Sequence, residues 1–208
     1  MHTRKLVRDS LGLALSSYLA RAVLLVRGVV AAAALGPRGY GGWNALNLIL
    51  DYGSYATLGA LNGLDLELPA AVAGVVGPRD PEPARRLLAG AWSVVVLGGV
   101  LLSAVVVGAV ASGQPAISRA VGTWPPLLML AAALIQLAIQ YQASALRARG
   151  DFVAVSGATA AQVVVGGGLG IALVGRHGIE GLLWGWLAGS ALAFALLRAR
   201  APVPLRPA

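Results

Sequence analysis

The sequence contains no cysteine, and only 12% of its residues are charged, about half the share usual in a soluble domain. The missing cysteine excludes disulfides, thiolate catalysis and Cys-based metal sites. The two histidines, His2 and His177, fall at the N-terminus and in a loop, with no second ligand at metal spacing. Acidic residues number eight, and they form no paired catalytic carboxylates. Neither a His-Glu zinc helix nor a Ser-His-Asp set can be assembled at any one depth of the chain. These absences point away from an enzyme, a metal or a cofactor, and toward function by binding and movement.

What is abundant is apolar sequence. Hydrophobic residues make up 58% of the 208, and they come in long runs rather than alternating with polar ones. A bilayer core of roughly 30 Å needs about 20 apolar residues per helix, so the chain has room for about six spans. The fold expected is an all-α membrane protein, a bundle of about six transmembrane helices. The spans read from the runs are 11–35, 40–62, 86–111, 124–146, 152–174 and 179–197, within a transmembrane unit of 10–199. Residues 1–9 and 200–208 are short tails. Residues 64–76 carry Asp65, Glu67 and Pro69 and suit an interfacial helix better than a span. Gly36-Pro37-Arg38-Gly39-Tyr40-Gly41 reads as a tight outer turn, and Gly175-Arg176-His177-Gly178 as another. The outer loop is expected over 112–122 and the longest polar break of the first half over 77–83.

The net charge of +8 is unevenly placed. Arg4, Lys5, Arg8, Arg79, Arg85, Arg86, Arg147, Arg149, Arg198, Arg200 and Arg206 fall on one set of loops and tails, and only Arg38, Arg119 and Arg176 on the other. This positive-inside pattern puts both termini in the cytoplasm, in a multi-pass protein of the inner (plasma) membrane. With no soluble surface to carry a basic face, nucleic acid is not an expected partner; the lipid bilayer is. The first apolar run is too long for a cleaved signal peptide and is interrupted by Arg21 and Arg27.

Those two arginines, with Asp51 in the second span, do not belong in lipid. A charge at a helix centre costs about 2.5–3.5 kcal/mol on insertion scales, so such residues face a bundle interior or a wet cavity. Arg21 and Asp51 lie at similar depth, which leaves open a structural ion pair. Arg27 lies nearer the level of Asn44 and Asn47, with no acid at its depth. An unpaired arginine over a wet cavity suits phosphate, because its planar fork matches phosphate oxygens. Gln136 and Gln140 share one face of the fourth span and Gln162 lies in the fifth; such amides bond sugar hydroxyls or, more often, one another across helices. The substrate-binding candidates are therefore Arg21, Arg27, Asn44, Asn47, Asp51, Gln136 and Gln140. Gly181, Gly185 and Gly189, like Gly166 and Gly170, recur every four residues and point to close helix packing. Trp43, Trp124, Trp184 and Trp186, with Tyr40, read as an interfacial aromatic belt, anchors rather than a ligand cage.

Several segments together resemble one family. Ala34-Leu35-Gly36-Pro37-Arg38-Gly39-Tyr40-Gly41 is similar to the Leu-Gly-Pro-x-x-Tyr-Gly signature of polysaccharide and O-antigen flippases, of the superfamily that includes lipid II flippases and multidrug and toxic compound extrusion transporters. Leu58-Gly59, Asn62-Gly63-Leu64, Gly77-Pro78-Arg79-Asp80 with Ala84-Arg85-Arg86, Leu146-Arg147-Ala148-Arg149-Gly150-Asp151-Phe152 and Gly175-Arg176-His177-Gly178-Ile179-Glu180-Gly181 follow in matching order. The resemblance implies one lobe of a two-lobed, V-shaped transporter that moves polyprenyl-pyrophosphate-linked glycans by alternating access, with Arg21 and Arg27 in the region where the family places basic cavity residues. Family members have twelve to fourteen spans, so the chain looks like an N-terminal lobe: a fragment, a truncated frame, or a half-transporter that pairs as a homodimer or with a separate second lobe. The alternatives are an ion-coupled small-molecule or drug exporter, and a non-transporting scaffold subunit of a glycan assembly complex.

Overall fold

In the computed structural model, residues 2–73, 82–113 and 121–200 are described, with side chains from Tyr18 onward except residue 19. The described residues form five helices and no strand: α1 (His2–Tyr55), α2 (Ala60–Ala73), α3 (Glu82–Ala111), α4 (Trp124–Ala148) and α5 (Phe152–Arg200). All but α2 are long and apolar enough to cross a membrane. This is the architecture of a membrane protein. The expected polar break, most of the outer loop and the C-terminal tail fall largely in 74–81, 114–120 and 201–208, outside the described residues.

Two of the long helices double back on themselves. Gly36 in α1 takes φ 65°, ψ 179° and Gly178 in α5 takes φ 55°, ψ −132°, conformations closed to residues with a Cβ. Each bend is therefore one residue wide, tighter than the four- and six-residue turns the sequence suggests. Pro37 directly follows the first bend, at the first helical position, where its missing N–H costs nothing.

In α5 the returning arm packs antiparallel on the first. An added Cβ on Gly189 would strike the Gln162 carbonyl, one on Gly185 would strike the Gly170 amide, and one on Gly181 would lie 2.7 Å from the Leu173 carbonyl oxygen. The four-residue glycine spacing thus acts as expected: it removes side chains from a seam where backbones meet. Gly98 of α3 does the same against the Ala56 carbonyl in the turn after α1.

The central element is α4, buried on most of its circumference, as expected of a helix apolar all round. On one side Leu137, Tyr141 and Ala145 pack with Leu64 and Leu68 of α2 and Val95 of α3. There the Tyr141 hydroxyl donates to the Leu88 carbonyl at 3.1 Å and its ring tilts on Trp92. On the other side Met129 and Ala132 pack with Ala31, Trp43, Leu182 and Leu183 of the two hairpins. Ala143 and Leu146 join Ala158, Ala193 and Leu197.

Charge is paired at the end of the bundle remote from the two bends. Arg147 donates to both Asp65 carboxylate oxygens at 2.8 and 3.2 Å and to the Ser144 hydroxyl at 2.9 Å, tying α2 to α4. Arg200 donates to Asp151 at 3.1 Å, joining the two ends of α5. Asp151 also accepts from the Ala154 amide, satisfying one free N–H of the helix start.

A buried arginine clamped between two indoles

Arg27 is the one charged residue buried among those described, 7% exposed. It sits nine residues before the α1 bend, and the returning arm brings Trp43 against it, with the guanidinium carbon 4.7 Å from the ring centroid. The returning arm of α5 supplies the second wall, Trp186, at 4.9 Å. Gly170 completes the space: a Cβ there would sit 3.7 Å from Arg27 Nε, so a larger side chain would crowd the guanidinium. Four helical arms thus converge on one cation.

The energetics of this clamp are unbalanced. A cation over an indole gains about 0.5–1 kcal/mol, rising to about 2 when desolvated, so two faces recover much of the insertion cost of an arginine. They satisfy no hydrogen bond. Among the described residues Arg27 Nε and Nη2 and the Trp186 indole N–H are buried with no acceptor, and a buried donor left unmade costs about 1–3 kcal/mol. Three donor atoms and a full positive charge, with no carboxylate facing them among the described residues, make a locus complementary to an oxyanion.

The other candidates are not gathered here. Asn44 is exposed, and Asn47, half-buried, donates to the Trp43 carbonyl of its own helix at 3.0 Å. They follow the Gly36 bend by eight and eleven residues, and neither hydrogen-bonds the Arg27 guanidinium. Arg21 and Asp51 are exposed on α1, and no ion pair joins them. Gln136 belongs to a packing network: buried Gln162 donates to its carbonyl oxygen at 2.7 Å and to the Ser190 hydroxyl at 3.0 Å. Gln140 is half-buried on the same face of α4. Among the described residues no cluster of His, Asp and Glu is arranged to hold a metal.

No family model, curated protein or solved structure matches the chain.

The aromatic-belt reading needs correction at two of its four tryptophans. Trp124 and Trp184 do face outward, 61% and 51% exposed. Trp43 is buried and Trp186 half-buried, and together they are the walls of the arginine site. The available signal was spacing: Trp184 and Trp186 are two apart and so cannot share a helix face, which requires one of them to turn inward.

Proposed function

We propose that the chain is one lobe of a transporter that carries a polyprenyl-pyrophosphate-linked glycan across the cell's inner membrane. Counting the two bent helices as two spans each gives six, and the arginine-rich loops and tails support a cytoplasmic side for both termini. Arg27 is the residue that meets the pyrophosphate. The observation carrying this reading is a buried, acid-free guanidinium with unmet donors at membrane depth. Alternating access would part α1 from α5 at this contact, exchanging the two indole faces for phosphate oxygens, while the lipid tail stays in the bilayer. The signature around the first bend supports the same cargo class.

The test is movement of a fluorescent polyprenyl-pyrophosphate sugar in vesicles made from membranes containing the full complex. Arg27→Ala should lower the rate tenfold or more, and Arg27→Lys, which keeps charge but loses the fork, should fall between. Unchanged movement by Arg27→Ala rejects the assignment. A second reading, an ion-coupled exporter of small molecules, rests on Asp51, an unpaired acid on a membrane-length helix. It is selected if Asp51→Asn abolishes proton- or sodium-dependent export while Arg27→Ala leaves it intact. Absence of any transport selects the scaffold reading.

A further inference from the structure

The outward faces of the long helices are not alike. Beyond its charged first turn, the large exposed side chains of α3 are all apolar, Val96, Leu97, Val100, Leu101, Val105 and Val107, a surface suited to acyl chains. On α1 the outward surface carries Arg21 among Tyr18, Leu24, Leu25, Val26 and Val29 on one arm, and Asp51 among Asn44, Leu48, Tyr52 and Tyr55 on the other. A charge turned to lipid at depth is costly, and charged residues in spans face protein or water. The part of the α1 surface that carries Arg21 and Asp51 is therefore not a lipid face.

Its charges also fix a geometry. Arg21 and Asp51 each lie 15 residues from the Gly36 bend, about 22 Å along the helix at 1.5 Å per residue, so they share a depth. A two-fold axis along the membrane normal preserves depth. It sets the Arg21 of one copy level with the Asp51 of the other, and the reverse, making two ion pairs from one self-complementary surface. The face spans roughly 30 Å by two helix widths of about 10 Å, or about 600 Å² per copy, near the lower bound of stable interfaces when both copies are counted.

We infer that the occupant of this face is a second copy of the same chain, docked α1 to α1 through reciprocal Arg21–Asp51 pairs. This holds whatever the cargo is, and it sets the two Arg27 clamps on either side of the dimer axis.

The test exploits the reciprocity. Two differently tagged full-length copies are co-expressed and their association is read by energy transfer in native membranes. Arg21→Asp in both copies, or Asp51→Arg in both, sets like charges opposite one another and should lower association tenfold or more. Co-expressing an Arg21→Asp copy with an Asp51→Arg copy restores both pairs and should return association to the wild-type level. If the mixed pair fails while the double variant R21D/D51R associates, the pair lies within one chain and the inference is wrong. It is equally overturned if the single reversals associate normally, or if wild-type copies do not associate and α1 is covered by a different chain. None of these readouts depends on transport, so they stand apart from the Arg27 test.

Discussion

Gly185→Ala probes the α5 hairpin where it is tightest. A Cβ built there lies 2.6 Å from the Gly166 carbonyl oxygen and from the Gly170 Cα, and meets the Gly170 amide nitrogen. Such atoms pack best at about 3.5–4.0 Å, so the arms must part by about 1 Å. All three neighbours are backbone, so no rotamer change can absorb the methyl. Overpacking costs about 1–3 kcal/mol, and alanine's better helix propensity returns about 0.8–1.0. With three backbone contacts the upper part of that range applies, leaving a net loss of about 2 kcal/mol. Gly168, two positions before Gly170 on the same arm, has nothing within 4 Å of its Cβ position, so Gly168→Ala should show only the propensity gain, up to about 1 kcal/mol. Unfolding equilibria in mixed micelles, titrated with SDS and followed by circular dichroism, should move in opposite directions for the two variants. Equal stabilities would refute the backbone-contact account of the hairpin.

Gly36→Ala and Gly178→Ala force a Cβ into left-handed backbone and should each cost about 1–3 kcal/mol in the same titration, without change in helix content at zero SDS. Tyr141→Phe removes the donor to the buried Leu88 carbonyl and should lose about 1–2 kcal/mol, read by thermal unfolding in detergent. Arg147→Ala breaks a half-exposed pair; its effect should be at most about 1 kcal/mol and should shrink between 50 mM and 500 mM salt. A large salt-independent loss would mean that Asp65 is held for another purpose.

Two of the long helices are legible in the sequence because length and hydropathy alone set them: Glu82–Ala111 and Trp124–Ala148 fall within a few residues of 86–111 and 124–146. The segment expected over 64–76 is helical and too short to be a span, and its helix starts earlier, at Ala60. The turns are harder. Gly-Pro-Arg-Gly-Tyr-Gly offers several residues able to break a helix, and only the backbone shows that Gly36 alone does so. Arg27 stands out because the cost of its burial is independent of its neighbours. Its walls do not, because an indole near a span end satisfies the interface as well as the interior, and register decides between them. Gln136 illustrates the same limit: its amide suits a sugar or another amide equally, and a partner 26 residues away decides.

The clamp has an electrical consequence. Arg27 is the one buried charge among the described residues, with no counter-ion moving alongside it. A unit charge carried through the full field of a membrane exchanges about 2.3 kcal/mol per 100 mV. Any rearrangement that shifts the Trp43–Arg27–Trp186 contact along the membrane normal is therefore coupled to the potential across its membrane, in proportion to the share of the field it crosses. A monovalent anion seated on the guanidinium would cancel that coupling and a divalent one would reverse its sign, so the protein would respond to voltage differently with and without the anion.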